Sequence, residues 1–528
     1  MRIRTDAPPA HCRFLVIGGG PGGATAAAML AREGLQVVLL EKEVFPRYHI
    51  GESLITSLVP MLKVMGAEEK VAKHGFVKKP GAYFQLQQGL PPGYIPFNGV
   101  VPYSYQVIRS EFDELLLEHA SSEGTQVYEG VTVKEIHFSG DTPTELTYSR
   151  DSGKGTGKIK FDYLVDASGL SGILATKYLK NRYYQETFAN VAVGGYWKNY
   201  APFKADAPGA FFSEAISDGR GWVWTIPLHD GTVSIGAVIH QNTFKEMRAE
   251  HKTLETILQR CLDGTPVVRK MLDGAEQVGD TMLWQDYSYC SASFAGSNYR
   301  LVGDAAGFID PCFSTGVHLA MLGGLSAGAS LAAAAKGQVA PEKAGDFHDR
   351  FVRRAYLRFV LLVTGAYSMI RNQHTPEEIK HLPEIDRETY RLAFSQVQPI
   401  LSGDLDVSTD IVPTSEILHA VKHMASVAME AIQGGAPPEM PQMPGMAEMQ
   451  GLGGSTADVL RRRRDAGMDS LFGGQDPIGG NEAIDGLRIH LRRGDLGLIP
   501  AGEAGAVIAS DFDRPGQPAS VVSSDSRV

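Results

Sequence analysis

Three glycines near the N-terminus have the spacing of a phosphate-binding turn. Gly18, Gly20 and Gly23 form the pattern G-x-G-x-x-G directly after a run of four apolar residues, and a helix rich in small residues starts at Ala24. The first glycine permits a tight turn, the second lets the backbone approach a pyrophosphate, and the third lets the helix pack on the strand. Glu41, about 20 residues further on, has the position of an acid that binds a ribose hydroxyl. The pattern predicts a dinucleotide site and argues against NADP.

Further polar residues could contact the same ligand. Arg47 lies in a loop with Pro46 and Gly51, and Arg109 opens an amphipathic helix. A solvated loop and a surface ion pair are the alternatives for these two arginines. Asp304 follows a buried strand, and in parallel sheets the carboxyl ends of the strands face the ligand. We expect the arginines to neutralise phosphates and Asp304 to accept hydrogen bonds from sugar-type hydroxyls.

The segment Asp-Pro-Cys-Phe-Ser-Thr-Gly at 310–316 could bind an anion. Ser314, Thr315 and Gly316 are predicted to start a long apolar helix that runs to Ala335. Unpaired N–H groups at a helix N-terminus attract negative charge. Ordinary capping of the helix by Ser314 is the alternative.

Two further pairs of residues carry chemistry. Trp222 and Trp224 alternate along a predicted strand, which puts both indoles on one face. Packing in the core explains that arrangement equally well. Lys78 and Lys79 precede a Pro-Gly pair, a pattern typical of a solvated turn.

The bulk properties limit the class of protein. The chain has 528 residues and a net charge of −10, which disfavours nonspecific nucleic-acid binding. The four cysteines have no metal-binding spacing, and we predict no metal site. The most apolar run is too short to span a bilayer, and no signal peptide is predicted. These features predict a cytoplasmic protein that binds neither membranes nor nucleic acid.

The predicted fold class is α/β. We expect a discontinuous dinucleotide-binding domain with substrate-side insertions, a β-rich substrate-side domain and a mainly helical C-terminal region. We further expect a linker rich in Pro, Met and Gly, and then short helices with a disordered tail. The predicted bounds, in that order, are 12–183 with 285–340, 184–284, 341–433, 434–456 and 457–528.

The order of these segments resembles the two-domain, Rossmann-like FAD-binding fold of the aromatic hydroxylases. Three stretches narrow the resemblance to the flavin-dependent halogenases: Pro46 to Ser53, Trp-Val-Trp-Thr-Ile-Pro at 222–227, and the segment 310–316. The chain looks most similar to fungal halogenases of phenolic polyketides, such as the radicicol halogenase. The resemblance covers roughly residues 12–400.

The resemblance implies a cofactor, a partner and a set of site residues. FADH₂ from a separate flavin reductase and O₂ would oxidise chloride or bromide to hypohalous acid. The halide would lie at Thr315 and Gly316, and the oxidant would pass the two tryptophans to Lys79, which would deliver it to the substrate. Lys78 is the second candidate for that role. The FAD-binding residues would be Gly18, Gly20, Gly23, Ala24, Glu41, Arg47, Arg109, Asp304 and Pro311.

At Phe313 the chain differs from the tryptophan halogenases. Their corresponding segment is similar to Glu-Pro-Leu-Glu-Ser-Thr-Gly, and its second glutamate assists the chemistry. Because a phenol is already electron-rich, this departure favours a phenolic or pyrrolic substrate over an indole. A general base would help, and His49, Glu52 and His318 are candidates. Two alternatives remain open: an FAD monooxygenase that uses NAD(P)H to hydroxylate a phenol, and a halogenase whose substrate is tethered to a carrier protein.

Overall fold

A computed structural model of the chain describes residues 6–89, 92–97, 101–150, 155–185, 188–203, 207–285, 288–371, 373, 401–403, 406 and 483–501. The predicted linker at 434–456 and most of the region from 374 to 433 lie outside these residues.

The strands of the described residues form two large sheets and three small ones. In chain order they are β1 (His11–Ile17), β2 (Val37–Leu40), β3 (Val77–Lys79), β4 (Gly81–Gln85), β5 (Gly93–Pro96), β6 (Ser104–Gln106), β7 (Gln126–Tyr128), β8 (Val131–Ser139), β9 (Thr142–Arg150), β10 (Gly155–Asp166), β11 (Arg182–Tyr184), β12 (Asn190–Lys198), β13 (Phe211–Ala215), β14 (Gly221–Pro227), β15 (Val233–His240), β16 (Glu276–Trp284), β17 (Tyr289–Ser291), β18 (Tyr299–Leu301), β19 (Gly307–Phe308), β20 (Leu487–His490) and β21 (Gly497–Pro500).

The helices flank the sheets or cross between them. In chain order they are α1 (Pro21–Ala31), α2 (Leu58–Met65), α3 (Glu68–His74), α4 (Arg109–Ser122), α5 (Gln241–Glu250), α6 (Leu254–Asp263), α7 (Pro266–Met271), α8 (Gly316–Ala335) and α9 (Pro341–Arg371).

The first large sheet has the order β7-β2-β1-β10-β9-β8, and β18 also pairs with β10. Strands β7, β2, β1, β10 and β18 are parallel. The register places Ile17 opposite both Leu40 and Asp166, and Asp166 opposite Leu301. Three distant parts of the chain therefore end at the same sheet edge, as predicted for a dinucleotide-binding domain. The apolar strands are fully buried, which is typical of a parallel sheet covered on both faces.

The second large sheet has the order β16-β12-β15-β14-β13-β4-β5. Its central strands come from the region predicted to be β-rich, and α5, α6 and α7 pack against its outer face around a separate apolar cluster. β4 and β5 come from the segment 12–183 and are the insertion that completes this sheet. β4 runs parallel to β13, whereas the other pairs in this sheet are antiparallel. Its inner face, with the β14 tryptophans, is turned toward the dinucleotide domain.

Helix α8 passes through the centre of the dinucleotide domain. It is long and apolar enough to cross a membrane by length and composition, but every residue of its apolar window is buried inside the protein. It packs tightly on α1, because both helices present glycines at the contact. A Cβ atom on Gly324 would lie only 2.5 Å from the Gly22 carbonyl oxygen. Among the described residues, this helix therefore behaves as the core helix of a folded domain.

The C-terminal part of the chain differs from the prediction of short helices and a disordered tail at 457–528. β20 and β21 form an antiparallel hairpin that packs on α8. Backbone N–H groups of Gly494 and Leu496 donate to the Glu33 carboxylate, and Arg493 pairs with Glu123 at 3.2 Å. The sequence signal was weak because these strands are short and separated from the rest of the domain by a long Gly- and Pro-rich stretch. The residues after Ala501 lie outside the described part.

The close contact between α1 and α8 predicts the effect of adding one methyl group. We expect Gly324→Ala to lower the free energy of unfolding by about 1–3 kcal/mol, because the new Cβ meets the backbone of the facing helix. Gly323→Ala is the matched control, since its Cβ would find its nearest neighbour at an ordinary 3.5 Å. Urea denaturation of both variants gives the comparison. Equal free energies of unfolding for the two variants would contradict this prediction, because the facing helix would then accommodate the added methyl group without cost.

Candidate active site

A large cavity of about 820 Å³ lies where the two large sheets meet. It is lined by most of the predicted site residues, namely Gly18, Gly20, Glu41, Arg47, Arg109, Trp222, Trp224, Asp304, Pro311, Ser314, Thr315 and Gly316. Gly23, Ala24, Lys79 and Phe313 do not line it. The fold therefore brings the dinucleotide motif, the tryptophan strand and the predicted halide segment to one space.

The glycine turn has the geometry that each glycine was expected to permit. Gly18 has φ of 100°, and a Cβ there would lie 2.2 Å from the Ala167 carbonyl oxygen. Gly20 is the N-cap of α1 and faces the cavity. Gly23 is a packing residue, because its Cβ would lie 2.0 Å from the Gly18 carbonyl oxygen. Ala24 lies inside the helix, where its N–H donates to the Gly20 carbonyl, so its backbone is not free to bind a phosphate.

Glu41 has a role that the sequence motif did not show. One carboxylate oxygen accepts from the Gly19 N–H at 2.6 Å, and the other accepts from the Glu43 N–H at 2.9 Å. The side chain therefore holds the glycine turn in place. Each carboxylate oxygen can accept more than one hydrogen bond, so Glu41 keeps acceptor capacity for ribose hydroxyls on its cavity side.

The two predicted arginines share one buried carboxylate. Arg109 makes a two-pronged contact with Asp113, at 2.8 and 3.0 Å, and Arg47 approaches the same carboxylate at 2.9 Å. Burial acts to raise the pKa of Asp113, but the two guanidinium groups outweigh it and the pKa is lowered. Arg47 also lies 3.9 Å from Glu43, and both arginines line the cavity, where their guanidinium groups can contact a pyrophosphate. The surface-ion-pair alternative for Arg109 is wrong, because that side chain is buried.

Asp304 lies just after the end of β18, in a partly buried position. Burial raises the pKa of its carboxyl to about 6, while Arg109 and Arg182 lower it. It lines the cavity at the sheet edge, where a carboxylate can accept from the hydroxyls of a sugar-like chain. These residues fit an FAD molecule, with cations at its phosphates and acceptors at its hydroxyl groups.

The segment 310–316 forms the start of α8 next to the cavity. Ser314 has a positive φ of 60°, which turns the chain into the helix. Thr315, and not Ser314, occupies the N-cap position, and its side chain makes no capping hydrogen bond. The alternative that Ser314 simply caps the helix is therefore wrong. Ser314, Thr315 and Gly316 face the cavity at the positive end of a long helix dipole, an arrangement that can hold a halide.

Lys79 lies behind the cavity wall, fully buried in an aromatic chamber. Its ammonium group donates to Ser53 Oγ at 2.8 Å and to the Leu54 carbonyl at 2.9 Å. It lies 5.3 Å from the ring centres of both Phe97 and Phe211. Burial lowers the pKa of the amine from 10.5 to about 7, so the proton is held loosely near neutral pH. Ser53 and Phe211 also line the cavity, which makes them the shared wall between the cavity and Lys79.

Two other predicted residues border this chamber. Phe313 packs on Phe84 with 5.6 Å between ring centres, and Phe84 packs on Phe211 at 5.8 Å. Phe313 therefore closes an apolar wall and faces the aromatic cluster. Lys78 is exposed and lies over the ring of Tyr103, so the solvated-turn pattern is correct for Lys78 and wrong for Lys79.

The tryptophans are anchored by residues that the sequence analysis missed. Trp222 and Trp224 lie 6.3 Å apart between ring centres. The Trp222 indole N–H donates to the Tyr367 hydroxyl at 2.9 Å, and that hydroxyl donates to Asp310 at 2.9 Å. Asn190 donates to the same oxygen of Asp310 at 2.8 Å. A buried indole N–H needs an acceptor, which was the available signal, but Tyr367 is distant in sequence.

The three candidate bases occupy different environments. Glu52 lines the cavity, accepts from the Tyr196 hydroxyl at 2.6 Å, and has a pKa raised by burial. His49 also lines the cavity, and burial of its ring lowers its pKa to about 4. His318 lies away from the cavity, between Ser57 Oγ at 2.7 Å and Asp406 at 2.9 Å. Glu52 is the candidate that combines access to the cavity with a raised pKa.

The fold and the cavity are those of an FAD-binding protein, and the N-terminus of α8 lies at the cavity wall. The sequence model of the tryptophan halogenase family matches residues 13–98 and 90–381. The chain therefore belongs to the flavin-dependent halogenases. These enzymes are oxidoreductases that use reduced FAD, O₂ and a halide, and they act on small molecules.

Individual relatives agree with this assignment. The flavin-dependent halogenase armH1 of Armillaria mellea is 45% identical over 75% of this chain and 78% of its own length. The flavin-dependent halogenase rdc2 of Metacordyceps chlamydosporia is 38% identical over 93% of this chain and 99% of its own length. The myxobacterial chondrochloren halogenase CndH has a similar structure, with a TM-score of 0.64 and 30% identity over 79% of this chain and 97% of its own.

The Asp310 network predicts the cost of removing one hydroxyl. We expect Tyr367→Phe to lower the free energy of unfolding by about 1–3 kcal/mol, because the Trp222 N–H loses its acceptor in a buried site. Tyr200→Phe, in the half-buried segment after β12, is the control and should change stability little. Urea denaturation measures both. A Tyr367→Phe protein as stable as the wild type would mean that the network contributes nothing.

The buried amine of Lys79 predicts a pH-dependent stability. Between a folded pKa of about 7 and the usual 10.5, the unfolded chain binds a proton that the folded chain does not. The contribution of Lys79 to stability therefore rises with pH across this window, by about 1.4 kcal/mol per pH unit. We expect Lys79→Met to lack this rise, so that its stability relative to wild type is greatest near pH 7 and declines toward pH 10.

The matched control for this pH dependence is Lys78→Met, because Lys78 is exposed. Its stability curve should run parallel to that of the wild type from pH 7 to 10. Chemical denaturation at four or five pH values provides the curves. If the Lys79→Met curve is also parallel, the amine is not desolvated in solution.

Proposed function

We propose that this enzyme halogenates a free, electron-rich phenol, of the phenolic polyketide or orsellinic and resorcylic type, with Lys79 delivering the halogen. The observation that carries the proposal is the chamber of Lys79. Among the described residues this amine contacts a hydroxyl, a carbonyl and two aromatic faces. No carboxylate forms an ion pair with it in the described part, so no fixed anion competes with hypohalous acid for the amine.

The chamber also supports the substrate class. Phe84, Phe97, Phe211 and Phe313 give it flat apolar walls suited to an aromatic ring. Phe313 takes the position that a glutamate has in the tryptophan halogenases, so no acid at that position assists the reaction in this chain. A phenol activates its own ring, and it needs only a base for its hydroxyl proton. Glu52, in the cavity beside Ser53, is the residue that we propose for this role.

The cavity residues support separate roles in binding the cofactor, binding the halide and keeping the substrate apart from the flavin. Reduced FAD supplies the oxidising chemistry when it reacts with O₂. We propose that Arg47 and Arg109 hold its phosphates, and that Thr315 and Gly316 hold chloride or bromide at the start of α8. Trp222 and Trp224 line the cavity, and we propose that their bulk keeps the substrate away from the flavin. A separate flavin reductase supplies the reduced cofactor.

We place the reaction in the cytoplasm. All four cysteines are buried free thiols in the structure, which fits a reducing compartment.

The test is a product assay with the full-length protein. We would combine it with FAD, a flavin reductase, NADH, O₂ and a set of resorcylic phenols, in chloride and then in bromide, and analyse products by mass spectrometry. The expected product carries one halogen in place of hydrogen. We expect Lys79→Met to lose more than about 100-fold of this product, the scale of a positioned acid–base group, while Lys78→Met keeps it.

Three other outcomes of the product assay would contradict the proposal or one part of it. A product that gains one oxygen would indicate a phenol hydroxylase. Oxidation of the flavin with no product from any free phenol would indicate a carrier-tethered or non-phenolic substrate. Full activity of Lys79→Met would remove that residue from the reaction. FAD retention, measured by absorbance, verifies that each variant is folded.

A further inference from the structure

Outside the cavity, three metal-ligating side chains from separate segments meet at one point. His74 ends α3, Glu111 lies in the first turn of α4, and His229 follows β14. The Nε2 atom of His74 lies 2.7 Å from Glu111 Oε2, and the Nε2 atom of His229 lies 3.2 Å from the same oxygen. The two imidazoles therefore point their distal nitrogens at one carboxylate.

Aromatic packing holds the two imidazoles in this orientation. Phe76 stacks on the ring of His74, with 4.2 Å between centres and an angle of 28°. The same phenylalanine meets the ring of His229 edge-on, at 5.3 Å and 89°. Phe76 is buried, so both rings rest against a fixed side chain. Restricting the ligands before binding reduces the entropy that a bound ion must overcome.

We propose that His74, Glu111 and His229 form a binding site for a divalent cation of the Zn²⁺ class. Two imidazole nitrogens and one carboxylate oxygen are a common zinc donor set, in which water fills the fourth position. The three ligand atoms lie within 4.8 Å of one another. Around a tetrahedral ion with bonds of about 2.0–2.1 Å, neighbouring ligand atoms are about 3.3 Å apart. Small side-chain rotations bring the present positions to that spacing, and the side chains are 22–36% exposed, so water and the ion can reach them.

The position of the site indicates a structural role. His74 precedes β3, which ends at Lys79, and Glu111 belongs to the helix that begins with Arg109. His229 follows the strand that carries both tryptophans. An ion at this point would therefore tie together the segments that carry the amine, the phosphate-binding arginine and the tryptophans. The inference does not depend on which aromatic compound is halogenated.

Metal binding can be measured directly on the full chain without an affinity tag. After chelation and buffer exchange, ZnCl₂ is titrated by calorimetry, and the zinc content is counted by mass spectrometry. We expect about one Zn²⁺ per wild-type chain. We expect affinity to fall at least about tenfold in His229→Ala and in Glu111→Gln, since even outer-shell changes commonly have that effect. Zn²⁺ should also raise the melting temperature of the wild type and not that of His229→Ala.

The matched control is His11→Ala, because His11 forms a pair with Asp162 at 3.3 Å without a second imidazole. It should bind zinc as the wild type does. If His229→Ala and Glu111→Gln also bind as the wild type does, or if the wild type binds none, the three residues are a hydrogen-bonded cluster only and the proposal is wrong.

A measurement on the unmodified protein guards against variants that fail to fold. Co²⁺ in a four-coordinate site with nitrogen and oxygen ligands absorbs visible light more strongly than Co²⁺ in water. We expect this absorption to appear on adding one equivalent of Co²⁺ and to disappear on adding Zn²⁺. A spectrum identical to that of free Co²⁺ would overturn the proposal.

Discussion

The buried carboxylate of Asp310 is the interaction on which the active site depends. It accepts hydrogen bonds from Asn190, Tyr367 and the backbone N–H of Cys312. These donors come from β12 in the second large sheet, from α9 and from the segment 310–316 itself. Burial raises the pKa of Asp310 to about 6, and the three hydrogen bonds oppose that rise. One side chain thus fixes the start of α8 and, through Tyr367, the orientation of Trp222 at the same time.

The site contains basic side chains of two kinds: Arg47 and Arg109 at the cavity wall, and Lys79 behind that wall. Arg47 and Arg109 carry guanidinium groups that share the carboxylate of Asp113. Lys79 has no such partner in the described part of the chain, and burial lowers its pKa to about 7. The first group suits a ligand that stays bound as an anion. The second suits a group that must exchange protons or accept an electrophile.

The sequence alone predicts the local geometry of the site wherever that geometry depends on residues that are neighbours along the chain. The glycine turn, the start of α8 and the pairing of two tryptophans on one strand are local patterns, and the structure confirms these geometries. The sequence was insufficient wherever burial decides the chemistry. Lys78 and Lys79 are identical in type, yet only the β3–β6 pairing and the wall from the second sheet bury Lys79. The contact of Tyr367 with Trp222 joins residues from different elements, and no local pattern predicts it.

The hairpin of β20 and β21 has a consequence for how the protein is made. It rests on α8 and donates to Glu33 just after α1, so the contacting residues Gly494 and Glu33 are 461 positions apart in the sequence. β18 and α8 also reach the first sheet from well past the middle of the chain. The nascent chain must therefore hold its N-terminal strands without these neighbours until residues 487–500 have been synthesised. Apolar strands that wait in this way are the segments most exposed to aggregation.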